Sequence, residues 1–275
     1  MRFSGHESFH CRSFWLKKGF DHIKAELPFK DEATLQLGVG RNMVASIKHW
    51  VKSFGLIDLD REELKEETNL IFSDNGWDPF LEDEGTLWLL HYWVVANDYA
   101  SIYSLIFDDL RKRKPLFTYQ HFLSFVREAD KKTSESTLKK DFQAFQRTYV
   151  SKENAKDLDD SFSGILTELN LVKEIKKDSF QIESTYRITI PKDIILYCIL
   201  SNNVGKESLS FEMLYSEKGS VGSAFALSRE GLNNFLVAIA QDYKQITYSN
   251  EAGIRELQIK NTIEPIDVLR RYYEQ

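Results

Sequence analysis

Apolar residues recur at Val44, Ile47, Trp50, Val51 and Phe54, a spacing that draws one stripe along a helix from Arg41 to Phe54. Glu32 to Leu37 ahead of it reads as a short helix, and Gly38-Val39-Gly40 as a tight turn whose glycines can take positive φ. Gly55 stops the second helix as a C-terminal cap, and Leu56-Ile57-Asp58-Leu59 opens an extended segment. Helix, glycine turn, helix and strand is the order of a winged helix-turn-helix, whose second helix enters the major groove of DNA. A helical hairpin packed internally is the other reading of the same pattern.

Further along, Gly85 to Tyr103 reads as a buried helix with Leu87, Leu90, Trp93, Val94 and Ile102 among its apolar positions. Thr118 to Arg127 and Ser134 to Tyr149 read as two helices joined by a polar turn. Phe162, Ile165, Leu166, Leu169 and Leu171 form another stripe. A hairpin follows, with Leu171 to Ile175 and Phe180 to Ile182 flanking the Lys176-Lys177-Asp178-Ser179 turn. A helix followed by a lysine-tipped hairpin has the shape of a wing. Tyr186 to Ile190 alternates as a strand. Ile194 to Leu200, Leu209 to Tyr215 and Ser228 to Tyr243 read as helices, the last opened by a capping serine. Ile246 to Tyr248 with Ile254 to Ile259 suggests a final hairpin, and Pro265 to Tyr273 a terminal helix.

The expected fold is therefore mainly α with short β-hairpins (α+β), arranged as tandem winged helix-turn-helix-like units. Three parts are expected: 1–110, a winged-helix DNA-binding unit with an acidic extension; 111–200, a helical second winged-helix-like unit; and 201–275, a C-terminal α+β unit.

Composition fits this picture. The 13 glycines and 5 prolines in 275 residues are too few for a loop-rich or disordered chain, and 19 Phe, 12 Tyr and 5 Trp supply a substantial core. Two cysteines, Cys11 and Cys198, exclude a disulfide scaffold or a multi-cysteine zinc site and suit a reducing compartment. The sequence has no transmembrane stretch, and its start has no apolar signal core, so a cytoplasmic location without membrane contact is expected.

The net charge of −6 speaks against nucleic acid until its distribution is considered. Residues 1–52 hold 9 Lys/Arg against 5 Asp/Glu, residues 53–110 hold 2 against 14, and residues 111–150 hold 10 against 4. Two basic blocks flank an acidic one, so local cationic surfaces can exist on an anionic protein. The candidate DNA-binding residues are Arg41, Asn42, Ser46, Lys48, His49 and Lys52 on the first amphipathic helix, with the run Arg111, Lys112, Arg113 and Lys114. Lys139 and Lys140 on the later helix complete the set. Lys and Arg neutralise phosphates, and Asn, Arg and Ser can read base edges.

His6-Glu7-Ser8-Phe9-His10 is a formal match to the zinc-protease pattern His-Glu-x-x-His. Gly5 immediately before it and the lack of a third ligand at a familiar offset argue against zinc, so no metal-ligating residues are assigned. His6, Glu7 and Arg12 instead place an acid/base group, a carboxylate and a phosphate-binding cation close together, a set that suits phosphodiester chemistry. The competing reading is that His6 and Glu7 cap and tether an N-terminal arm whose aromatic residues pack into the core. No Walker-type phosphate loop and no serine nucleophile elbow is present.

Phe3-Ser4-Gly5-His6-Glu7-Ser8-Phe9, Arg12 and Trp15-Leu16-Lys17-Lys18-Gly19 resemble domain-of-unknown-function family 4007. Leu37-Gly38-Val39-Gly40-Arg41-Asn42-Met43-Val44 with Ile47, Lys48 and Trp50 strengthens the match. The family is similar to bacterial proteins encoded beside DNA phosphorothioation genes, which serve anti-phage defence. It includes the B component, a DNA nickase, of single-strand phosphorothioation (Ssp) systems. The resemblance implies DNA as a partner, together with a cysteine desulfurase, a sulfotransfer enzyme and an ATPase. It also implies nicking at modification sites and leaves open a divalent cation, magnesium or manganese, and a homodimer. A winged-helix transcriptional regulator or a non-enzymatic scaffold of the modification complex is the alternative.

Overall fold

In the computed structural model, which describes residues 1–150, 164–251 and 254–275, contacts divide the chain into Met1–Ile182 and Glu183–Gln275. The fold is mainly helical with short antiparallel sheets, an α+β arrangement, as expected. The expected divisions after residues 110 and 200 both fall within helical runs.

The first unit opens with an irregular arm, then α1 (Trp15–Lys24), α2 (Ala33–Leu37) and α3 (Arg41–Ser53). Gly38 ends α2 in the left-handed conformation with φ 63°, which a glycine adopts without steric cost. Gly40 does not share this geometry; its φ is −68° and it precedes α3 in extended form. Ile57 and Leu64 then form an isolated antiparallel bridge that closes a loop over residues 58–63. α4 (Glu66–Phe72) and α5 (Glu84–Ala96) follow. Asp83 caps α5 by accepting the Thr86 amide at 3.1 Å. Every residue from Gly85 to Val95 is buried, so α5 is the central post of the unit rather than an amphipathic surface helix.

The helix expected from Gly85 to Tyr103 breaks after Ala96. Asp98 is left-handed (φ 51°), and the Asn97 amide donates to the carbonyls of Lys52 and Ser53 at 2.6 and 3.2 Å, tying this break to the end of α3. Helix resumes as α6 (Ser101–Ser104), a π-helical turn (Leu105–Leu110) and α7 (Arg111–Arg113). Around it, His91 Nδ1 lies 2.8 Å from the Tyr149 hydroxyl, and the Tyr103 and Thr148 hydroxyls are 2.9 Å apart. These buried polar groups are satisfied inside an aromatic core that includes Phe107 and Phe145.

Next come β1 (Leu116–Phe117), α8 (Tyr119–Ala129), α9 (Glu135–Tyr149), β2 (Lys173–Lys176) and β3 (Ser179–Gln181). Their sheet has the order β1-β3-β2, with Phe117 opposite Phe180. Of the stripe expected from Phe162 to Leu171, Phe162 lies outside the described residues. The described part forms only a 3₁₀ turn, Thr167–Leu169, stopped by left-handed Asn170.

The second unit contains α10 (Lys192–Asn202), β4 (Ser208–Ser210), α11 (Phe211–Ser216), α12 (Val221–Ala224) and α13 (Arg229–Asp242). It closes with β5 (Ile246–Glu251), β6 (Ile254–Ile259) and α14 (Pro265–Tyr273). Its sheet order is β4-β6-β5. Both sheets thus place their last strand in the centre, between a short early strand and its hairpin partner. The helix expected to start at Leu209 starts at Phe211, capped by Ser210, because Leu209 pairs with Leu257 in the sheet. No strand forms over Tyr186–Ile190. Arg187 is left-handed there (φ 49°), and its guanidinium donates to the Phe225 carbonyl at 3.2 Å and the Glu183 carbonyl at 2.6 Å.

Candidate nucleic-acid interface

α8 and α9 meet at a turn built by local hydrogen bonds. Asp130 accepts the Lys132 and Thr133 amides at 2.8 and 3.1 Å and the Thr133 hydroxyl at 2.6 Å, which lowers its carboxyl to about 2. Ser134 then caps α9 by accepting the Thr137 amide at 3.1 Å. Leu138, Phe142, Phe145 and Tyr149 form the buried stripe of α9, and Ser136, Lys139, Lys140 and Gln143 the exposed one. Lys131 and Lys132 are exposed in the turn before it. Beside α9 stands the β2–β3 hairpin, anchored by buried Phe180 against Phe142 and Phe117. A groove of about 200 Å³ runs between them, lined by Gln143, Gln146 and Arg147 on the helix and Glu174, Asp178 and Phe180 on the hairpin. Lys176 and Lys177 are exposed at the hairpin turn.

α3 differs from expectation. Arg41, Asn42 and Lys48 are exposed, but Ser46 and His49 are buried and cannot face a duplex. The reason is that α3 packs on more than one side, with α1 along one flank and the N-terminal arm along another. Ser53 Oγ lies 3.1 Å from His49 Nε2. Burial, then the neighbouring His6 and Arg2, push the His49 imidazole down to about 3, so it is neutral at physiological pH. Arg41 lies 3.4 Å from Asp31, and Lys52 is 2.6 Å from Glu62. Glu62 belongs to the loop closed by the Ile57–Leu64 bridge, which also carries Asp58, Asp60 and Glu63.

The basic run is also divided. Arg111 is buried, its Nε donating to the Phe107 carbonyl at 2.7 Å, whereas Lys112, Arg113 and Lys114 are exposed. Arg113 pairs with Glu128 at 3.1 Å and sits over the Phe125 ring.

The N-terminal arm threads into the unit rather than forming a helix. Ser4, Gly5, Glu7 and Ser8 all have positive φ. The Ser4 amide donates to both Asp141 oxygens, at 3.0 and 3.1 Å, and the Ser8 amide donates to His6 Nδ1 at 3.1 Å. His6 is buried, stacked against Trp50, with Nε2 3.4 Å from Asp141 but not aligned for a hydrogen bond. Trp50 Nε1 donates to the Phe9 carbonyl at 3.2 Å. Of the three candidate catalytic residues, Glu7 alone is fully exposed; Arg12 is half-buried over the Trp15 ring. His10 is also buried. Among the described residues no group of three His, Cys, Asp or Glu side chains converges to hold a metal ion. Among the described residues no helix is long and apolar enough to cross a membrane.

A family model described as "Protein of unknown function (DUF4007)" matches residues 3–273. The chain belongs to the DUF4007 family. Among solved structures it is similar to one titled "SspB crystal structure", with TM-score 0.83 and 26% identity, covering 99% of this chain and 88% of that one. A "Magnesium ion-bound SspB crystal structure" matches with TM-score 0.82 and 25% identity over the same shares. No curated protein sequence matches. The DUF4007 match spans the arm, both sheets and α14, so the likeness takes in both units.

Proposed function

We propose that this DUF4007 protein is the B-type component of a bacterial DNA phosphorothioation system, acting on DNA beside a desulfurase, a sulfotransfer enzyme and an ATPase. The observation that carries the reading is the likeness to SspB over 99% of the chain. The strand orders β1-β3-β2 and β4-β6-β5, each with helices between the first and second strands, support reading both units as winged helices. The exposed cations of α9 and its hairpin, on a chain whose net charge is −6, support a reading in which this surface contacts DNA.

Strand nicking with a divalent cation is the enzymatic part of the proposal. The magnesium-bound neighbour favours testing that ion first. Purified chain is incubated with supercoiled plasmid, with and without magnesium or manganese. Open-circular product that requires the metal supports a nickase; intact plasmid together with salt-dependent binding leaves a non-enzymatic DNA-binding component. Absence of binding in a salt-titrated filter assay would sink the DNA reading itself.

A further inference from the structure

We infer that duplex DNA is read by α9 and the β2–β3 turn, and not by α3, the helix whose sequence pattern first points to the groove. This rests on the DNA-binding reading above and assigns it a surface.

Charge complementarity decides between the two helices. DNA presents a dense row of phosphates, so the helix that enters its groove must not bring carboxylates to the backbone. α3 is followed by the loop at 58–63, where Asp58, Asp60, Glu62 and Glu63 outnumber Arg61. Its Arg41 and Lys52 are already paired with Asp31 and Glu62. Docking α3 in a groove would bring that acidic loop toward a phosphate strand.

α9 and its hairpin have the opposite balance: the hairpin's Glu174 and Asp178 are outnumbered by Lys173, Lys176 and Lys177, and the turn before α9 adds Lys131 and Lys132. The two carboxylates of α9 are Glu135 and Asp141, and Asp141 is turned inward, where it holds the Ser4 amide. Lys139 and Lys140 are exposed and form no ion pair among the described residues. Gln143 is one turn further along the same face, at the mouth of the groove shared with the hairpin. Lys139 and Lys140 contact phosphates, and the Gln143 amide can both donate to and accept from a base edge, as adenine requires. Lys176 and Lys177 at the hairpin turn reach a flanking phosphate, as a wing does. The helix and hairpin are held in fixed register by the Phe142–Phe180 contact, at 5.9 Å between ring centroids.

The test is a set of salt-titrated binding curves on full-length protein. The variants are Lys139→Ala with Lys140→Ala, Lys176→Ala with Lys177→Ala, Gln143→Ala, and the comparator Arg41→Ala with Lys48→Ala. All are exposed positions, and circular dichroism melts check the fold. The first two variants are expected to flatten the slope of log K against log salt by roughly 0.9 for each lost contact. Gln143→Ala is expected to keep the slope and relax sequence preference in a pool of random duplexes. The comparator is expected to match wild type. A flattened slope for the comparator, with the α9 and hairpin variants unchanged, overturns the assignment while leaving DNA binding intact. Competition by duplex RNA as strong as by duplex DNA also overturns it, because side chains cannot read the deep, narrow RNA major groove. No salt-dependent binding by the unsubstituted chain removes the DNA reading and this assignment with it.

Discussion

His6 faces Asp141 with its Nε2 3.4 Å from the carboxylate, while its Nδ1 accepts the Ser8 amide. With Nδ1 accepting, a neutral ring carries its hydrogen on Nε2, toward the carboxylate. The ring is buried, with Nδ1 hydrogen-bonded within the arm and Nε2 turned toward Asp141 without a hydrogen bond, which is the geometry of a tether. We predict that His6→Ala loses stability by about 2 kcal/mol, the order expected for a buried polar contact and a cavity together. His6→Asn, which can keep an acceptor near the Ser8 amide, should recover part of the loss. Denaturant titration reads both. If His6→Ala melts like wild type yet loses plasmid nicking, the side chain acts in chemistry instead.

Gly5 is the second point at which the arm is locked. Its φ is +100°, and a Cβ built on it would lie 2.6 Å from His49 Nδ1. Gly5→Ala therefore meets both backbone strain and a clash with a buried ring, and should cost roughly 1–3 kcal/mol. A thermal melt indistinguishable from wild type would show that the arm does not pack as described.

Much of this was legible in the sequence where caps punctuate amphipathic stripes. Gly38, Ser134, Ser228 and Pro265 mark ends of α2, α9, α13 and α14 that the structure places within a residue of expectation. The second sheet's first strand was not legible. β4 is three residues long and owes its existence to β6, with Ser208 opposite Gln258, so no local pattern announces it. Which of the candidate cations stand exposed was half legible for a similar reason. The exposure of Lys139 and Lys140 follows from helical spacing alone. The burial of His49 depends on contacts with residues far away in sequence, His6 and Tyr99, and helical periodicity carries no record of them.

His49 also sets a pH dependence. Its imidazole is pushed down to about 3 by burial, His6 and Arg2, against 6.5 in the unfolded chain. The unfolded state binds the extra proton between these values, so its contribution to stability is complete above pH 6.5 and falls as the pH drops toward 3. The slope from this one group reaches at most about 1.4 kcal/mol per pH unit. His49→Gln should reduce the acid sensitivity between pH 6 and 4, whatever its effect at pH 8. Parallel stability profiles for variant and wild type across that range would contradict the assignment.

Cys11 and Cys198 are buried free thiols, and burial raises both well above the usual thiol value. A thiol held protonated and out of solvent is a poor nucleophile. Native protein should react with Ellman's reagent much more slowly than a free thiol, and both residues should titrate at once in denaturant. Rapid labelling of the native state would place at least one cysteine at the surface.

Asp141 joins the arm to the helix proposed to read DNA, and its substitution separates fold from interface. Asp141→Asn keeps one oxygen for the Ser4 amide, but either orientation of the new NH₂ group brings a donor toward Ser4 N–H or the Nε2 side of His6. One buried donor left facing another costs about 1–3 kcal/mol, so denaturation should shift to lower urea. The substitution also removes one negative charge from α9 without touching its exposed face. Below the melting range, DNA binding should therefore be retained or slightly tightened, with the salt slope of wild type. A variant that unfolds no earlier than wild type would break the link between arm and helix. One that stays folded but loses DNA would mean that the carboxylate itself, and not the lysines beside it, shapes the binding surface.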